Sequence, residues 1–366
     1  MADRHVPSPC YSVLLLATVV AVAGCGSSAV PPTRAGGSAG PLASHLALAV
    51  ASNAPSAPAV PAASPTRSAM TPDAVITVSK PGWVAFDGTA LWVYSTTGKI
   101  SRIDTGKNTT AATLVVDPTW QDGGFAANDT GLWVTDFDTN LVYRIATAPL
   151  AVVATIPVGR NPSGVSAADG STWVANHRGG SVSRIDLATN SVLATVKIGN
   201  EGPSGPQGLG VGLGSVWIGV PNVRAVFRID AVSNRVIASI RTPAGTLPCG
   251  GLAIDAGAVW MTSCDELGTM VRIDPTTNTV AGTVNLHGYG GDPILIDGCP
   301  WLTVGGSVGE PAHLVRVDPA SNAVDRVISL GDTFKGGSIV VAAGSLWVTD
   351  WANDRVLRLP LAALWP

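Results

Sequence analysis

Charge is scarce in this chain. Asp, Glu, Lys and Arg make up 13% of its 366 residues, about half the ~25% of ordinary globular domains. Basic residues do not exceed acidic ones: 22 Lys and Arg face 25 Asp and Glu, for a net charge of −3. A broad nucleic-acid surface needs a cationic excess, so that class is excluded. Phe and Tyr are few, at 5 and 4, and His numbers 5. No apolar run reaches the ~20 residues that span a bilayer. After residue 73 no segment has the length or the 3.6-residue period of an amphipathic helix. A Gly-rich phosphate loop, a zinc-spaced cysteine set and a serine nucleophile elbow are all missing. What is abundant is glycine, with 42 residues, and tryptophan, with 11.

The N-terminal segment reads as an export signal. Arg4 and His5 precede an apolar run from Tyr11 to Ala23, which ends in Val22-Ala23-Gly24-Cys25. A charged start, a short apolar stretch and small residues before the cut define a secretory leader. The cysteine behind them resembles a bacterial lipobox, which implies lipidation of Cys25 (palmitate among the acyl chains). Residues 1–24 are then the signal peptide. Residues 25–72, rich in Ala, Ser, Pro and Gly, form a tether without strand pattern. The expected location is the cell membrane, lipid-anchored and facing outside the cytoplasm.

Residues 73–366 carry a repeat. Seven tryptophans follow a Gly-containing turn at intervals of 40 to 46 residues: Trp92, Trp133, Trp173, Trp217, Trp260, Trp301 and Trp347. Each is followed by an Arg at the head of an Arg-Ile-Asp or related triplet, from Arg102 to Arg358. β-Branched, alternating stretches place four strands in each unit, in the third near 164–168, 171–175, 181–186 and 191–197. A four-stranded unit of this length is a propeller blade. The turns Asp186–Asn190, Asp230–Asn234, Asp274–Asn278 and Asp318–Asn322 share one form. Their Asp accepts backbone N–H groups and their Asn tolerates the left-handed region, so both read as structural.

The last unit lacks an outer strand, and Val75-Ile76-Thr77-Val78 matches that strand's pattern. The expected fold is therefore all-β, a seven-bladed β-propeller whose N-terminal strand closes the last blade. The phrases Leu132-Trp133-Val134-Thr135-Asp136, Ser183-Arg184-Ile185-Asp186 and Ala154-Thr155-Ile156-Pro157-Val158-Gly159 resemble those of YVTN-type and virginiamycin B lyase-like propellers. The resemblance spans residues 75 to 360. It implies the propeller fold and, in the lyase members, elimination of a cyclic ester by a histidine base with a divalent metal such as Mg2+ and acidic partners. Where those lyases carry Trp-Phe-Thr-Glu, this chain carries Trp133-Val134-Thr135-Asp136, with a shorter acid, and Trp173-Val174-Ala175-Asn176, with none.

Residues that break a repeat are better site candidates than residues that make it. At the end of the second strand, on the face called the top here, the variable positions are Asp136, Asn176, His177, Asp350 and Trp351. They form the expected ligand-binding set, with His177 the candidate base. A second set, His287, Glu310 and His313, falls in loops of the same face and is the candidate metal site. Cys249 and Cys264 flank a hairpin and are expected to form a disulfide, leaving Cys299 free. The leading functional expectation is a monomeric, membrane-tethered module binding a protein, peptide or cell-wall glycan. The alternative is a lyase-like, metal-dependent enzyme.

Overall fold

Short β-patterned stretches recur after residue 73, and the chain resolves them into seven sheets, antiparallel within each blade. The computed structural model describes residues 64–116, 123–168, 170–265, 268–305 and 310–365. The proposed signal, Cys25 and most of the tether lie outside the described residues, as do Gly306–Gly309. No described helix is long and apolar enough to cross a membrane.

Strands are named A to D from the channel outward. Blade three has Pro162–Ala168, Ser171–Asn176, Ser181–Asp186 and Ser191–Lys197, at the positions read from the repeat. Blade seven consists of Ile339–Ala342, Ser345–Asp350 and Arg355–Pro360, and its D strand is Ala74–Thr77. That strand pairs antiparallel with the C strand, Ile76 opposite Val356. The two ends of the chain thus share one sheet, and the ring is closed as expected. Ile76 and Val78 are buried with Val84, Leu91 and Val93 of blade one, so closure also joins the first and last blades through apolar contact.

Each blade tryptophan is fully buried and packs on the next blade. Trp133 lies with Val174 and Ile185 of blade three, Trp217 with Val259 and Met261 of blade five, and Trp347 with Leu91 and Val93 of blade one. A four-stranded sheet has two faces and no helices to cover them, so neighbouring blades must do so. The repeated arginine sits opposite the tryptophan in the register, for example Trp217 opposite Arg228. Its guanidinium covers the indole, 4.6 Å from the ring centre for Arg228 and 5.2 Å for Arg184.

Two departures from the expected organisation occur. Residues 66–69, assigned to the tether by composition, form a strand, Thr66–Ala69, parallel to the D strand of blade six, Ala323–Ser329. Polar, low-periodicity residues hid it, because an edge strand exposed on every side needs no apolar face. Blade six also has a broken A strand, Tyr289–Gly290 and Ile294–Ile296, both paired to Cys299–Gly305. Between the pieces stands Gly291-Asp292-Pro293. Pro293 has no N–H for the ladder, so the strand leaves its register there.

Candidate functional site at the channel mouth

Glycine meets the channel at the start of every A strand: Gly82, Gly124, Gly164, Gly208, Gly251, Gly291 and Gly337. Main chains of adjacent blades touch at this rim. The Gly124 N–H donates to the Ser163 carbonyl oxygen at 2.8 Å, and the Gly208 N–H to that of Cys249 at 3.0 Å. A Cβ at Gly208 would collide with the Gly250 carbonyl, so the rim tolerates no side chain there. Threonine hydroxyls on the B strands reach across in the same way. Thr135 Oγ1 donates to Ser163 O (2.7 Å), Thr303 Oγ1 to Gly337 O (2.6 Å) and Thr349 Oγ1 to Gly82 O (3.0 Å). The threonine of the Trp-Val-Thr-Asp phrase therefore ties blade to blade.

Four of the five residues expected to meet a ligand are inside the blades. Asp136 is buried; its Oδ1 accepts the N–H groups of Asp138 and Thr139, and its Oδ2 the Tyr143 hydroxyl. Asn176 is buried and its amide donates to Ser181 and Ser183. Asp350 is wholly buried and pairs with Arg355 at 2.8 Å. His177 is also buried, with Nε2 2.7 Å from the Pro203 carbonyl oxygen and Nδ1 3.2 Å from that of Pro206. A general base needs a ring nitrogen facing substrate, and both of these face main-chain carbonyls of the crossing into blade four. All four are polar side chains at the end of a B strand that find partners inside the protein: Asp136 caps the turn behind it, and Asn176, His177 and Asp350 bond to the neighbouring strand, the crossing and Arg355. Trp351 differs, with 51% of its surface exposed.

The second set is not gathered into a site. His287 is exposed at a positive φ of 57°, and its N–H donates to Asn285. Glu310 is exposed. His313 lies half-buried in the C strand of blade six, its Nδ1 without a partner. Burial, and then the charge of Arg67 on the added outer strand, hold its imidazole below the usual histidine range. Among the described residues no three His, Cys, Asp or Glu side chains are placed to hold a metal ion.

What the mouth does present is aromatic. Trp351 and Tyr289, 51% and 59% exposed, are the two aromatics among the large exposed apolar side chains of the described residues. Both line one cavity of about 320 Å3, together with Trp83, Asp292, Thr303 and Lys335. Trp83 is held by stacking on Tyr94, ring centres 5.8 Å apart. A second hollow of about 230 Å3 adjoins at Trp83 and Asp292 and is walled by Phe125 and the Cys249–Cys264 disulfide. Below them the channel holds a further cavity of about 380 Å3, lined by A-strand residues such as Val84, Ala126, Val165 and Leu252.

Asp292 links the two upper hollows. Its Oδ1 accepts the Gly251 N–H at 2.7 Å. A Cβ at Gly251 would stand 2.5 Å from the Asp292 carboxyl carbon, so glycine there gives the carboxylate its seat. Enclosure by the channel walls pushes the Asp292 carboxyl above the usual carboxylate range, against the Gly251 N–H that favours its ionised form. Channel solvent reaches the group, which moderates that rise. Repeat-breaking, applied one strand earlier, finds this residue. Trp83, Phe125, Val165, Leu209 and Leu252 follow the rim glycine in five blades, and an acid does so in blade six.

Cys249 and Cys264 are bonded, with Cα atoms 5.8 Å apart across the hairpin of blade five. Cys299 is wholly buried in the hairpin of blade six. Spacing along the hairpin identified the pair; the neighbourhood of Cys299 is a matter of the folded chain.

No family model matches the sequence, and no curated protein matches it significantly. Solved structures do match in fold. The virginiamycin B lyase of Staphylococcus aureus superposes with a TM-score of 0.65 at 15% identity, covering 79% of this chain and 98% of that one. A streptogramin B lyase gives 0.64 at 16%, covering 77% and 94%. BamB from Moraxella catarrhalis gives 0.52 at 14%, over 76% and 82%. At such identities the likeness concerns the fold, which is the virginiamycin B lyase-like seven-bladed propeller.

Proposed function

We propose that this protein is an extracytoplasmic binding module, tethered to the membrane through Cys25, whose propeller takes its ligand at the channel mouth. The observation that carries the reading is the meeting of Trp351, Tyr289, Trp83 and Asp292 in one open cavity. Exposed aromatics cost solvation free energy unless something covers them, and a concave site that sets aromatic rings beside a few polar groups is an ordinary form of ligand pocket. A protein or peptide ligand, or a cell-wall glycan, is compatible with such a mouth. The lyase-like alternative has the fold likeness in its support, while His177, its candidate base, is turned toward main-chain carbonyls.

The test is a panel of muropeptides and short peptides, screened by saturation-transfer NMR against the full chain and against Trp351→Ala and Tyr289→Ala. Both side chains are largely exposed, so melting should be unchanged. Binding that weakens at least tenfold in each variant supports the mouth. Binding that persists in both, or that maps to the outer blade edges, refutes it. Ring opening of a cyclic ester antibiotic in the presence of Mg2+, detected by mass spectrometry, would instead support the lyase.

A further inference from the structure

We infer that the mouth recognises an organic cation, an ammonium or guanidinium head group, held over the aromatic rings with its charge directed to Asp292. The inference rests on the mouth being the binding site, and names what the site selects. Three rings, Trp83, Tyr289 and Trp351, share the wall of the cavity with this carboxylate. The face of an aromatic ring is electronegative and attracts cations, most strongly where water is partly excluded.

Asp292 lacks a counter-charge of its own. Its hydrogen-bond partner is the Gly251 N–H, and no ion pair among the described residues includes it. Lys335 also lines the cavity as a cation, and its Nζ donates to the Glu310 carbonyl oxygen at 3.3 Å. The carboxylate is open to channel solvent and stands beside the rings with its charge available to a cationic ligand. A ligand that brings the positive charge pairs with it and covers the exposed rings at the same time. The cavity of about 320 Å3 accommodates a trimethylammonium or the end of a lysine or arginine side chain. The structural context agrees: Pro293, a departure from the repeat, breaks the strand, and the rim glycine Gly251 leaves room for the carboxylate beside it.

The experiment titrates the full chain with choline, with Nα-acetyl-lysine amide and with Nα-acetyl-arginine amide. The control is 3,3-dimethylbutan-1-ol, which has the shape of choline without its charge. Ligand-observed NMR gives the dissociation constants. Choline should bind at least tenfold more tightly than the neutral alcohol, and Asp292→Asn should abolish the difference. Asparagine keeps an oxygen for the Gly251 N–H, so the fold is retained, which a melting curve verifies. The relative affinities of choline and the two amino-acid amides separate a free quaternary ammonium from a peptide side chain. Equal binding of choline and the alcohol, unchanged by Asp292→Asn but lost in Trp351→Ala, overturns cation recognition and leaves the mouth as an apolar binding site. Absence of binding by all three cations also overturns the inference, and the muropeptide and peptide panel then decides the broader reading separately.

Discussion

At the scale of the residue, the repeated arginine does more than cover a tryptophan. Arg144 Nη1 donates to the Leu187 carbonyl and to Asn190, both 2.7 Å away in the next blade. Arg184 reaches Ala231 and Asn234, Arg228 reaches Pro275 and Asn278, and Arg272 reaches Pro319 and Asn322 in the same manner. Each thus grips the Asp-to-Asn turn of its neighbour, and Arg358 extends the series to Asn108 of blade one at 3.4 Å. The exceptions have reasons. Blade two has Ala148-Pro149 in place of such a turn, so among the described residues Arg102 keeps only its ring contact, at 5.9 Å. Blade seven takes its D strand from the N-terminus and has no C–D turn, so Arg316 pairs with Asp325 and stacks on Trp365, 5.0 Å from the ring centre. Arg228→Ala should therefore cost about 2 kcal/mol, combining a lost charged hydrogen bond with a lost cation–π contact. Arg228→Lys should recover only part, since an ammonium cannot fork between two acceptors. Arg102→Ala should cost less than about 1 kcal/mol, the scale of an exposed ring contact. Urea midpoints of the three variants test this, and equal losses for Arg228→Ala and Arg102→Ala would show that the inter-blade grip contributes nothing.

At the scale of the element, the turns are set by their first carboxylate. In Asp186 and Asp274 the leading influence is a backbone N–H, of Thr189 and Thr276; in Asp230 it is the Ser233 hydroxyl. All three carboxyls are held below the ordinary value of 3.8. A folded-state pKa below the unfolded one means that the unfolded chain binds more protons as the solution is acidified. The stability these groups confer is complete above about pH 5 and is lost as the pH falls through the folded values. Melting temperature should consequently drop between pH 5 and pH 3. In a variant with Asp186, Asp230 and Asp274 all changed to Asn, which preserves the acceptor without the titration, the drop should be smaller. An identical drop in the two proteins would assign acid sensitivity to other carboxylates. The turns were readable in advance because Asp and Asn act on their own local backbone. The strand Thr66–Ala69 was not readable, since its partners are more than 250 residues away and nothing local marks it.

At the scale of the whole molecule, the ring depends on the strand Ala74–Thr77. Ile76 is buried, whereas Thr66–Ala69 is exposed throughout. Ile76→Ala should cost about 2–4 kcal/mol by cavity formation at the seam of blades seven and one. Deletion of residues 66–69 should lower the melting temperature far less. Calorimetry on the two variants distinguishes the roles, and a larger loss from the deletion would make blade six, rather than blade seven, the site at which the N-terminal segment secures the ring.

The number of blades, the four strands of blade three, the closing strand, the Cys249–Cys264 pair and the Asp–Asn turns were determined by the sequence alone. They rest on repetition or on local backbone chemistry, and both are written in residue order. The candidate site was legible in one residue, Trp351, which remained outside when the B strand beside it was buried. Asp136, Asn176, His177 and Asp350 look like site residues in a list of positions, yet packing turns them toward the turns and crossings that they stabilise. Only the tertiary structure brought Trp83 of blade one, Tyr289 and Asp292 of blade six and Trp351 of blade seven to one cavity. The reason is geometric: closure of the ring converts residues up to 268 positions apart in the chain into neighbours, and no local pattern records which side of a strand will face the channel once a proline has broken it.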